Sequence, residues 1–105
     1  MRESSIEQKL VRGLRARGWR AVKFVSPGND GMPDRLVLGP LGRVIFVELK
    51  TETGRLSAVQ SAQIAKLRRL GQDVRVLYGR KGVEDFIQEV AGYAIHSARL
   101  SAPGD

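Results

Sequence analysis

The chain has 105 residues, 42% hydrophobic and 28% charged, enough for one domain with a single modest core. Lys+Arg 18 against Asp+Glu 11 leaves a formal net charge of +7, which points to a polyanionic partner, most commonly nucleic acid. With no cysteine, disulfides, thiolate zinc sites and cysteine nucleophiles are excluded, and one histidine, His96, argues against histidine zinc sites and Ser-His-Asp hydrolysis.

In chain order, residues 4–18 predict an amphipathic helix. Ile6, Leu10 and Leu14 recur every fourth residue, Ser4 can cap the start and Gly18 can supply the stop. A short strand is expected from Arg20 to Val25. Residues 26–33 are dense in turn formers and predict an irregular loop. Asp34 to Leu38 and Arg43 to Lys50 then form a hairpin across Gly39-Pro-Leu-Gly42. After a connecting loop over 51–55, Ser57 opens a second helix with Gln60 as its capping-box partner, and Gly71 closes it. Val74 to Tyr78 is a further strand. Val83, Phe86, Ile87, Val90, Ala91 and Ala94 mark the core face of a last helix, and 97–105 reads as a flexible tail. The order α-β-β-β-α-β-α implies an α/β domain with a mixed β-sheet flanked by helices.

Val44 to Leu49 reads as a buried strand, yet it contains Glu48, and Lys50 follows two residues on. Two residues apart on a strand, these side chains share a face with Val44 and Phe46. Ionised groups there are costly unless paired, metal-bound or open to a cleft. Asp34 lies on the adjacent strand, so its carboxylate can converge with that of Glu48. Two acids and a lysine at one sheet edge suit a hard divalent cation and a phosphate.

Several stretches fall in a telling order: Glu7 in the first helix, Lys23 in the first strand, Gly31-Met-Pro-Asp34-Arg, Val47-Glu-Leu-Lys50 and Gly54-Arg-Leu-Ser57-Ala-Val-Gln60. Over roughly residues 3–80 this resembles the VRR-NUC branch of the PD-(D/E)xK nuclease superfamily. The resemblance implies a restriction-endonuclease-like core and a metal-dependent nuclease. It implies Asp34, Glu48 and the Leu49 backbone carbonyl as ligands of Mg²⁺ or Mn²⁺, with Glu7 as a further ligand or supporting acid. Lys50 would orient the attacking water or stabilise developing charge, and Gln60 would hold the water, the phosphate or a ligand. Lys23, Arg55 and Lys81 are the expected nucleic-acid contacts. Arginines around the end of the first helix, and Lys66, Arg68 and Arg69 on the second, suit a phosphate backbone.

Each residue has a plainer reading. Glu7 can be a capping-box glutamate after Ser4, and Gln60 the same after Ser57. Asp34 can simply begin a strand, and Lys23 can be an ordinary outward-facing strand residue. The function expected is cleavage of branched DNA such as Holliday junctions by a homodimer. Alternatives are a flap, nick or restriction-type nuclease, or a binding module that kept the fold. No run approaches the ~18 apolar residues of a membrane span, and no signal-peptide apolar region is evident. A cytoplasmic, bacterial or phage-encoded protein is expected.

Overall fold

A computed structural model of the chain describes residues 3–100, with side chains described for 4–92. The elements are α1 (Glu3–Arg15), β1 (Arg20–Lys23), β2 (Arg35–Gly39), a 3₁₀ turn (Pro40–Gly42), β3 (Arg43–Lys50), α2 (Ala58–Arg69), β4 (Val74–Tyr78) and α3 (Gly79–Leu100). The four strands form one sheet in the order β1-β2-β3-β4. The first three are antiparallel meander neighbours, and β4 runs parallel to β3 after the α2 crossover.

Alternation along the strands sorts the sheet into two unlike faces. Ala21, Val37, Ile45, Val47, Leu49 and Leu77 face a core completed by Ile6, Leu10 and Leu14 of α1 and by Val83, Phe86, Ile87 and Val90 of α3. Burying each of these large aliphatic side chains contributes about 1.5–3 kcal/mol. The opposite face, with Leu36, Leu38, Val44, Phe46, Glu48 and Lys50, is covered in part by α2. Ile64 of α2 and Val74 of β4 are buried there.

Gly18 and Gly71 close the first two helices as expected. Both have positive φ, and the residue after each returns its N–H to the helix: Trp19 to the Leu14 carbonyl at 3.0 Å, Gln72 to the Leu67 carbonyl at 3.1 Å. Trp19 lies across β2 at Gly39, where any Cβ would collide with the indole ring.

Several expectations shift. Ser4 lies inside α1 rather than ahead of it. β1 ends at Lys23 and β2 starts at Arg35, although the Phe24 N–H still donates to the Asp34 carbonyl at 2.9 Å. Val44 is 44% exposed despite its apolar strand, because α2 does not cover that end of the sheet. α3 is described to Leu100, and residues 101–105 of the expected tail lie outside the description. The face of α3 from Val83 to Val90 packs into the core of its own chain, as expected. The side chains of Tyr93, Ala94, Ile95 and His96 lie outside the description.

Candidate active site

The carboxyl end of β3 and the first turn of α2 meet on the thinly covered face of the sheet. Glu48 is 5% exposed there, one of two charged residues buried in the described chain. Its Oε2 accepts from Gln60 Nε2 at 3.2 Å and lies 3.6 Å from Lys50 Nζ. The other end of the Gln60 amide accepts from the Ser57 N–H at 2.9 Å, while Ser57 Oγ accepts from the Gln60 N–H at 3.1 Å. Gln60 thus caps α2 and holds Glu48 at once, so the two readings of this residue are compatible.

Asp34 arrives from the other side. Its Oδ1 accepts from the Leu49 N–H at 3.4 Å, docking the carboxylate onto β3 between Glu48 and Lys50. The loop before it is held against α2. Gly31, at φ +84, lies so close to Val59 that a Cβ would come within 2.7 Å of the Val59 carbonyl oxygen, and Gln63 Nε2 donates to the Asp30 carbonyl at 3.0 Å. Phe24 and Phe46 pack edge-to-face beneath the loop, their ring centroids 5.8 Å apart. Glycine in the Gly31-Met-Pro-Asp34 stretch is therefore what lets the loop approach α2 closely enough to place Asp34.

Burial holds the Glu48 carboxyl above the usual carboxylate range. Asp34 adds to that rise, and Lys50 offsets part of it. The site is a partly desolvated pair of acids with one ammonium beside it. It carries excess negative charge that an added cation would neutralise.

Glu7 is placed differently. It projects from α1 on the opposite face of the sheet and pairs with Arg35, Nη2 to Oε2 3.0 Å. Among the described residues no three Asp, Glu, His or Cys side chains gather closely enough to hold a metal ion. Glu7 nonetheless lines a cavity of about 230 Å³ together with Asp34, Lys23 and Arg35. Arg35, 7% exposed, is a residue that sequence patterning passes over. An arginine following Pro-Asp in a strand shows its role only once α1 is packed over it.

The remaining expected contacts divide. Lys23 lines the cavity with Asp34, and Arg55 is exposed in the loop between β3 and α2. Lys81 is exposed but pairs with Asp85 at 3.2 Å within its own helix. Arg68 turns inward, donating from Nε and Nη2 to the Val74 carbonyl at 3.3 and 2.7 Å, so it belongs to the sheet rather than to a free basic surface. The loop after β3 is tied to α3 through Glu52. Its carboxyl is held below the usual range by its own backbone N–H, with a contribution from the Arg80 N–H at the start of α3.

A family model of the VRR-NUC domain matches residues 2–81. The chain belongs to the VRR-NUC family. The match spans α1 through the first residues of α3, so every side chain of the site, from Glu7 to Lys81, lies within the VRR-NUC region. The chain is also similar to "Putative nuclease p44" of Acyrthosiphon pisum secondary endosymbiont phage 1. The two are 48% identical over 77 residues, covering 73% of this chain and 83% of that protein. A solved VRR-NUC domain superposes with a TM-score of 0.76 at 29% identity, covering 82% of this chain and 94% of the other. The mixed four-stranded sheet with its flanking helices is thus the VRR-NUC architecture. No helix among the described residues is long and apolar enough to cross a membrane.

Proposed function

We propose that this VRR-NUC protein is a divalent-metal-dependent endonuclease of the PD-(D/E)xK superfamily that hydrolyses DNA phosphodiester bonds. Branched DNA such as a Holliday junction is the proposed substrate, and a homodimer is the form that would cut two strands in one complex. The observation that carries the reading is the convergence of Asp34 and Glu48 on β3 beside Lys50. The nuclease name of the phage relative supports it.

The donor set fits a hard cation. Two carboxylates approach each other, and burial beside Asp34 already resists ionisation of Glu48, a resistance that a divalent charge would relieve. Asp34, Glu48 and the Leu49 carbonyl would hold Mg²⁺ or Mn²⁺, which supplies a more acidic bound water and neutralises phosphoryl charge. The chain's own residues do the rest. Gln60 restrains rotation of the Glu48 carboxylate. Lys50 places a compact positive charge where charge builds on the phosphate. Lys23, in the cavity with Asp34, and Arg55, exposed on the loop after β3, are the proposed contacts for the backbone. Glu7, bound to Arg35, sets the position of that guanidinium behind Asp34.

Labelled junction, flap, splayed and linear duplexes, incubated with and without Mg²⁺ or Mn²⁺, test the proposal. Metal-dependent incision, strongest on the junction and lost in Asp34→Ala and Glu48→Ala proteins that still bind DNA, is the expected result. Near wild-type cleavage by Asp34→Ala at saturating metal would sink the site. A single 11.6 kDa species by sedimentation, free and on a junction, would remove the paired-incision form.

A further inference from the structure

A groove leads away from Asp34 on the side of the sheet opposite Gln60. It begins in the cavity of about 230 Å³ that Asp34 shares with Lys23, Glu7 and Arg35. A second cavity, about 220 Å³, shares Glu7 and Arg35 with the first and adds Arg12 and Arg15. A third, about 50 Å³, shares Arg15 with the second and reaches Arg20. The three form one path between α1 and β1, the edge strand of the sheet.

The charge along the path is one-sided. Several cations elsewhere are matched within the chain: Arg75 with Asp73 and Glu89, Arg80 with Glu84, Lys81 with Asp85. Arg12, Arg15, Arg20 and Lys23 have no ion pair among the described residues and are exposed. The acid within the groove, Glu7, is neutralised by Arg35 at 3.0 Å and so does not repel an anion entering there. Charge of this kind, set in a groove that starts at a carboxylate of the site, matches a chain of phosphates better than a single anion.

We propose that this groove carries the sugar–phosphate backbone of one nucleic-acid strand as it continues from the bond at Asp34 toward Arg20. The inference rests on the nuclease reading of the site and specifies how its substrate lies. Lys23 and Arg20 stand three residues apart on a strand, about 10 Å. Glu7 and Arg15 stand eight apart on a helix, about 12 Å. That length takes a short run of phosphates of one strand. The cavities, about 230, 220 and 50 Å³, are small for a duplex, so a strand displaced or frayed at a branch is the form proposed to enter.

Binding of a labelled single-stranded oligonucleotide in metal-free buffer, followed by fluorescence anisotropy across a salt series, reads the groove without cleavage. The Arg15→Ala/Arg20→Ala double variant should flatten the plot of log affinity against log salt by about 1.4, at about 0.7 for each phosphate no longer neutralised. Arg80→Ala, which removes a cation matched to Glu84 at 3.1 Å on α3, should leave the slope unchanged. No binding by the wild type, equal slopes in the groove variant, or a comparable flattening in the Arg80 control would overturn the proposal. A loss seen only on duplex would also overturn it. Cleavage with Mg²⁺ or Mn²⁺ is scored separately. Cutting with an unchanged slope removes the groove and leaves the nuclease reading standing, whereas a flattened slope without any cutting removes the nuclease reading alone.

Discussion

Gln60 binds Glu48 with one end of its amide, at 3.2 Å, and the first backbone N–H of its own helix cap, that of Ser57, with the other, at 2.9 Å. The start of α2 is thereby tied to the buried acid, and the two functions of Gln60 can be separated by substitution. Ser57→Ala removes the hydroxyl half of the capping box and should cost about 1 kcal/mol of stability with little effect on cleavage at saturating metal. Gln60→Ala should cost a similar amount of stability and also about 10–100-fold in cleavage rate, the usual effect of losing a group that orients a metal ligand. Thermal melts and single-turnover rates on both variants check this. Equal rate losses would assign the effect to the cap.

Lys50 is expected to serve the chemical step more than binding. Its ammonium lies 3.6 Å from Glu48 and shares that residue's face of β3. Lys50→Ala should lower the single-turnover rate by more than it weakens DNA binding. Lys50→Arg should restore little, because a planar guanidinium does not replace a compact ammonium in a crowded site. Parallel losses of rate and affinity would make Lys50 a phosphate anchor instead.

Glu48 links metal to stability. Its folded carboxyl titrates above 4.5, first because of burial and then because of Asp34. Its contribution to stability is therefore fully present below pH 4.5 and is lost as pH rises through the higher folded value. In metal-free buffer at pH 7, Glu48→Gln should melt above the wild type, and the gap should close below pH 4.5. Divalent cation should raise the melting temperature of the wild type and not of the variant. A Glu48→Gln protein that melts below the wild type at pH 7 without metal would contradict this account.

Gly31 is expected to be the most sensitive glycine of the loop before Asp34. Alanine there meets both a φ of +84 and the Val59 carbonyl, whereas at Gly28, with φ +80, nothing lies within 4 Å. The left-handed backbone alone costs about 1–2 kcal/mol at either position. Only Gly31→Ala should also displace Asp34 from the Leu49 N–H and lower the cleavage rate. Comparing melts and rates of the two variants isolates the contact with α2. Equal rate losses would show that strain, not the contact, is what matters.

What the sequence determines by itself is local. The strand from Arg43 to Lys50, the shared face of Glu48 and Lys50, the Ser57–Gln60 cap and the glycine stops at 18 and 71 follow from alternation and turn chemistry carried by near neighbours. The order of Asp34, Glu48, Lys50 and Gln60 within a recognisable pattern was legible for the same reason. Alternation cannot tell which sheet face the helices will cover, and that depends on how α1, α2 and α3 pack. Their packing left Val44 exposed and turned Arg68 inward. It also set Glu7 against Arg35, 28 residues away, rather than beside Glu48. The docking of Asp34 on Leu49 and the continuity of the basic groove are likewise tertiary, because each needs elements distant in the chain to meet before its charges have neighbours.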